Sequence, residues 1–133
     1  MAKTALVTGA SSGIGREIAR DLSARGFRVI LSARREERLR ELAEELGDNT
    51  RVIVCDVSDR EECLRLYEET KSEKISVLVN CAGFGAVGSF DKLPLDTELK
   101  MIDTNITAVH MLTKLFLKDF VAADRGYIMN IAS

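Results

Sequence analysis

Thr8-Gly9-Ala10-Ser11-Ser12-Gly13-Ile14-Gly15 is the stretch on which the reading of this chain turns. It follows a short apolar run at Leu6-Val7, and the spacing of Ile14, Ile18 and Leu22 predicts a helix opening within it and ending near Gly26. A glycine-rich turn between strand and helix lets the backbone approach a pyrophosphate with no β-carbons in the way. It also presents unpaired first-turn N–H groups at the positive end of the helix dipole. In this reading Gly9 permits the tight turn, Gly13 the close approach and Gly15 the packing of helix on strand.

Outward from that turn, compact apolar runs at 29–31, 52–54, 77–79 and 128–131 alternate with amphipathic stretches. Leu39, Leu42, Ala43 and Leu46 mark a second helix closed by Gly47. Ser58 and Glu61 read as a capping box ahead of Cys63, Leu66 and Tyr67. A long helix over 98–121 carries an inward row of Leu99, Ile102, Ile106, Val109, Thr113, Phe116 and Phe120. Its second apolar row, Met101, Ala108, Met111, Leu112 and Leu115, points outward in this reading and predicts a homo-oligomer built through that helix. Strand–helix alternation of this kind predicts an α/β chain: a doubly wound parallel sheet, Rossmann-like, in three α/β/α layers, forming one domain over 1–133. Ile131-Ala132-Ser133 comes directly off the fifth strand with no covering helix, so the domain is expected to be truncated there.

Composition narrows the function classes. The chain has 133 residues, 46% hydrophobic and 30% charged, and 19 basic against 21 acidic side chains leave a net charge of −2. That balance lacks the basic footprint of a nucleic-acid partner. No apolar run approaches the roughly 18 residues needed to span a bilayer, and no secretory leader is expected. Cys55, Cys63 and Cys81 are odd in number and lack metal-ligand spacing, which predicts free thiols, no metal site and a cytoplasmic setting.

Several short motifs, taken in order, resemble the classical short-chain dehydrogenase/reductase family over the whole chain. Thr8 to Gly15 is similar to the family's glycine signature, and Asp56-Val57 to its adenine-contacting pair. Asn80-Cys81-Ala82-Gly83 resembles its Asn-Asn-Ala-Gly motif with Cys in place of the second Asn. Asn105 matches the helix Asn of the catalytic tetrad, and Asn130-Ile131-Ala132-Ser133 the strand that ends at the catalytic Ser. The resemblance implies cofactor contacts at Gly9, Ser11, Ser12, Gly13, Ile14, Gly15, Asp56, Val57, Asn80, Ala82 and Gly83, with Ser133 and Asn105 as catalytic residues. It covers about the first half of a usual member.

The end of the second strand reads Leu31-Ser32-Ala33-Arg34-Arg35. Relatives that prefer NAD carry Asp where Ala33 stands, so no carboxylate repels a 2′-phosphate and the Arg34 guanidinium can bind it. The cofactor implied is NADP(H) in preference to NAD(H). Arg35 and Arg38 are expected instead to pair with Glu37 and Glu41 along the second helix.

The family moves a hydride between nicotinamide and a carbonyl or alcohol carbon, with a Tyr, and a Lys four residues later, as its acid/base pair. That pair would follow Ser133 by about a dozen residues. Tyr67-Glu68-Glu69-Thr70-Lys71 has the spacing but not the place: nine residues at about 1.5 Å each put Tyr67 roughly 13 Å down its helix from the ligand end of the sheet. Tyr127 lies too far from Ser133 along its strand, and His110 reads as structural among apolar neighbours. The loop from Phe84 to Phe90 is expected at an active-site mouth and hints at an apolar carbonyl substrate. A catalytically inactive NADP-binding module is the alternative.

Overall fold

The computed structural model describes residues 3–132. Strands β1 (Thr4–Thr8), β2 (Arg28–Ala33), β3 (Thr50–Val54), β4 (Ile75–Asn80) and β5 (Tyr127–Asn130) alternate with α1 (Gly13–Ala24), α2 (Glu36–Leu46), α3 (Arg60–Thr70), α4 (Leu95–Ile102) and α5 (Ala108–Ala123). The strands form one parallel sheet in the order β3-β2-β1-β4-β5. Strand order reverses between β1 and β4, and a crevice opens there at the carboxyl ends of the strands.

Successive residues of each central strand face opposite layers. Leu6, Ile30, Ile53 and Leu78 pack with Cys63 and Leu66 of α3 and with Ala108, Leu112 and Phe116 of α5. Ala5, Val7, Val29, Leu31, Val77 and Val79 pack with Ala19 of α1 and Leu39 and Leu42 of α2. The sheet is therefore covered on both sides, the three-layer arrangement predicted from the alternation. Full burial of each larger aliphatic side chain stabilises the fold by about 1.5–3 kcal/mol.

Two local expectations are corrected. The cap of α3 is Asp59, whose carboxylate accepts the Glu61 N–H at 2.9 Å. Ser58 is drawn away from the capping role because its hydroxyl and N–H both donate to Asp56 Oδ1, at 2.7 and 3.0 Å.

The long helix runs as α4, a π-helical turn at Asp103–Thr107, and α5. Its buried face is Thr104, Ala108, Leu112, Phe116 and Phe120. Leu99, Ile102 and Ile106, expected inward, are exposed, whereas Ala108 and Leu112, expected outward, are buried. Spacings of three and four fit two overlapping stripes equally well in sequence. Packing selects the four-residue row, and the wide π turn shifts the phase of α4 relative to α5.

Candidate functional site

A cleft of about 970 Å³ lies over the β1/β4 switch point. Its first wall is the glycine turn. Gly9 has φ +65°, and a β-carbon there would sit 2.7 Å from backbone atoms of Cys81 and Ala82, so no other residue fits. Gly13 has φ +57° but its missing β-carbon would meet nothing within 4 Å. Gly15 is equally constrained, because a β-carbon there would run into the carbonyl of Gly9, so the turn combines two glycines needed for close packing with one, Gly13, that leaves open space above the start of α1.

That helix start is uncapped. Ser12 has extended backbone but makes no side-chain cap, and the first turn holds no acid. By contrast α2, α3 and α4 each carry two acidic residues in the first turn. Ser11, Ser12, Gly13, Ile14 and Gly15 all line the cleft, so the open amides and the positive end of the helix dipole face it.

Thr8 ties this turn to the end of β4. Its buried Oγ1 accepts the N–H groups of Cys81 and Ala82, at 3.0 and 3.2 Å, and donates to the Val79 carbonyl at 3.4 Å. Ala82 and Gly83 line the cleft just beyond. So does Cys81, whose thiol is pushed up by burial against the opposing effect of the Gly15 N–H. Asn80, expected as a cofactor contact, does not line the cleft among the described residues. Its amide nitrogen donates to Thr113 Oγ1 at 3.1 Å and to Asn130 Oδ1 at 2.8 Å, tying β4 to α5 and β5.

At the β2–β3 end the lining residues are Ser32, Ala33, Arg34, Cys55, Asp56 and Val57. Among the described residues Arg34 has no carboxylate within 4 Å. The pairs expected for Arg35 and Arg38 do not form, and α2 carries Arg40–Glu36 at 3.3 Å instead. Ser32 Oγ is buried at the cleft wall without a hydrogen-bond partner. Burial raises the Asp56 carboxyl, but the two Ser58 hydrogen bonds and the charges of Lys100 and Arg34 outweigh it and hold the group below the usual carboxylate range.

At the other end Asn105 sits in the π turn. Its Oδ1 accepts the Phe84 N–H at 3.0 Å and its Nδ2 donates to the Phe84 carbonyl at 2.8 Å. This reciprocal pair pins the loop that leaves β4. Phe84 and Gly85 reach the cleft, whereas Val87 and Phe90 project into solvent. Asn130, Ile131 and Ala132 close this end, and Ser133 lies outside the described residues.

The tyrosines stay away from the cleft. Tyr67 Oη donates to Asp119 Oδ2 at 2.7 Å, and that bond with its burial pushes the phenol up to about 12. Lys71 pairs with Glu68 at 2.6 Å. Tyr127 is exposed on β5, and His110 is exposed on α5 instead of packed among apolar neighbours. Among the described residues no group of three potential ligands could hold a metal, and no helix is long and apolar enough to cross a membrane.

The family model for short chain dehydrogenases matches residues 3–133. The chain belongs to the short-chain dehydrogenase/reductase family. It is 38% identical over 137 residues to an oxidoreductase of Staphylococcus saprophyticus, covering 98% of this chain and 58% of that protein. A 3-oxoacyl-[acyl-carrier-protein] reductase of Rickettsia prowazekii is 37% identical over 131 residues, covering 98% and 54%. Among solved structures, a metagenomic short-chain oxidoreductase in complex with NADP superposes with a TM-score of 0.93 at 35% identity, covering 98% of this chain and 62% of that one. The chain thus spans little more than half the length of the curated relatives it matches.

A dinucleotide cofactor of the kind this short-chain dehydrogenase/reductase family uses fits the residues present. The uncapped amides, the open space above Gly13 and the unpartnered Ser32 hydroxyl are unmet needs of one continuous cleft. Thr8 and Ser32 stood inside quoted motifs without a role of their own, whereas Thr104 at the cleft wall and Lys100 beside Asp56 carried no signal in the sequence.

Proposed function

We propose that this chain is the cofactor-binding part of an NADP(H)-dependent oxidoreductase acting on a carbonyl or alcohol carbon of a small, apolar substrate. The observation that carries the reading is the single cleft joining the uncapped start of α1 to unpaired Arg34 at one end and to Asn105 at the other. When bound, the nicotinamide supplies or takes the hydride.

The chain's own residues bind and orient. The amides of Gly13 and Ile14, beside Ser11 and Ser12, hold the pyrophosphate, Gly15 packs the start of the helix against the turn, and Arg34 takes the 2′-phosphate by a charge-assisted bidentate contact. Asp56 and Val57 bound the adenine end, and Ala82 and Gly83 the nicotinamide side. Asn80 acts from behind, through Asn130 and Thr113. Asn105 holds the loop at Phe84, and Ser133 orients and polarises the substrate oxygen, roles carried over by motif match. The domain assignment over 1–133, a cytoplasmic location and self-association belong to the same reading. Support for self-association is the exposed apolar residues Leu95, Leu99, Ile102, Ile106, Leu117 and Val121 along α4, the π turn and α5. A melting temperature that rises with protein concentration tests it.

The test of function is calorimetric titration with NADPH and NADH, followed by carbonyl reduction. NADPH should bind at least about ten-fold more tightly, and Arg34→Ala should erase the difference. Equal affinities in the unaltered protein would overturn the cofactor assignment. The second reading is an NADP-binding module without hydride transfer, favoured by the placement of both tyrosines away from the cleft. Binding without turnover would select it.

A further inference from the structure

Two buried thiols brace the turn that joins β3 to α3, the turn whose Asp56 and Val57 line the cleft. Cys63, one turn into α3, is fully buried, and its Sγ donates to the Val57 carbonyl at 3.1 Å. Cys55, directly after β3 and 2% exposed, donates the other way, from Sγ to the Glu62 carbonyl at 3.5 Å. Backbone bonds tie the rest of the turn: the Cys55 N–H donates to the Ala33 carbonyl at 2.9 Å, and the Asp59 N–H to the Asp56 carbonyl at 3.1 Å. Among the described residues the Val57 carbonyl has no hydrogen-bond partner besides the Cys63 thiol. Val57 is itself buried, so removing that donor orphans the carbonyl, and the turn must shift to bring it to water. Burial pushes the Cys63 thiol up to about 11, so it keeps its hydrogen through the neutral range. Cys63 is not among the residues lining the cleft, and its reach into the cleft runs through Val57 alone.

We propose that Cys63 is a positioning residue for the cofactor: its thiol holds the Val57 carbonyl, and with it the Asp56–Val57 stretch, where that stretch bounds the adenine end of the cleft. The inference rests on the dinucleotide reading above. A thiol is a weak donor, and the size of the effect comes from the cost of an empty buried acceptor more than from the strength of the bond itself.

The test measures binding of NADPH and of adenosine 2′,5′-bisphosphate, the adenine end alone, by calorimetry on the unaltered protein, Cys63→Ala and Cys63→Ser, with urea unfolding of each. Cys63→Ala removes the donor and should weaken both ligands by the same factor, about three- to ten-fold. Cys63→Ser restores a donor and should bind both within about two-fold of the unaltered protein. Where Cys63→Ala leaves too little folded protein, Cys63→Val refills the volume without a donor and should show the same loss. A merely structural thiol would lower the urea midpoint and leave both affinities unchanged, which overturns the proposal. A Ser variant as weak as the Ala variant, or a loss confined to NADPH, overturns it too. Failure of the unaltered protein to bind either ligand would overturn the dinucleotide reading itself, and the proposal with it.

Discussion

Replacing Thr8 by Val is the sharpest test of how the glycine turn is held. The two side chains have nearly the same shape, so the substitution opens no cavity, but the hydroxyl is lost. In the native structure Oγ1 of Thr8, a residue 2% exposed, accepts two backbone amides at 3.0 and 3.2 Å and donates to a carbonyl at 3.4 Å. With Val the Cys81 and Ala82 amides lose their acceptor in a place that water reaches poorly. An orphaned buried polar group costs about 1–3 kcal/mol, and with the second amide partly accessible the sum is about 2–4 kcal/mol. That is a large share of the roughly 5–15 kcal/mol typical of a folded domain. Urea unfolding should show a lower midpoint with an unchanged slope. Thr8→Ser keeps the acceptor and loses one methyl, so it should cost only about 1 kcal/mol. NADPH affinity should fall in the Val variant as well, because residues 81–83 lose their anchor to β1. A Val variant within about 0.5 kcal/mol of the parent, or a Ser variant worse than the Val variant, would refute the reasoning.

Gly9→Ala should abolish NADPH binding and lower stability by about 3 kcal/mol or more, combining left-handed strain with 2.7 Å contacts to immovable backbone; calorimetric titration and urea unfolding check both parts. Asn105→Leu removes both bonds to Phe84. On the oxidoreductase reading proposed above, which puts Asn105 on the nicotinamide side, it should lower carbonyl reduction by about ten-fold or more while NADPH affinity stays within about two-fold. Burial pushes the Cys55 thiol up to about 12 and Cys63 up to about 11, whereas thiols of the unfolded chain ionise near about 8.5. Above that pH the unfolded chain releases protons that the folded chain keeps. Stability should therefore be level below about pH 8 and fall as pH rises toward 11, by at most about 1.4 kcal/mol per pH unit for each thiol. Unfolding curves between pH 7 and 10 measure this, and a stability that rises over that range would contradict it. In thiol labelling at pH 8, Cys81 should react before Cys55 and Cys63, and NADPH should protect it.

The fold was largely legible in the chain because its signals are local. Strand-to-helix alternation, the glycine turn after β1 and Gly47 after α2 each state a backbone requirement that holds in any context. Runs apolar on both faces, such as residues 29–31 and 77–79, require a covered parallel sheet, and the two core clusters are those two faces. Much of the candidate site was legible for the same reason, since most of its described residues lie in short motifs at strand ends, while Thr104 and Asn105 come from the long helix. What the chain alone left open were choices between partners of similar merit. Ser58 could have capped α3, but Asp56 took its hydroxyl. Two stripes of the long helix could have faced inward, and only the sheet decided for Thr104, Ala108 and Leu112. Asn80 fitted the motif for a ligand contact, yet Asn130, 50 residues away, turned its amide into a tie between strands. Lys100 carried no local signal at all, because its ion pair depends on Asp56, far away in sequence, folding to within 3.6 Å of it. Local chemistry thus determined which backbone shapes form, while contacts distant in sequence decided which side chains remain free to meet a ligand.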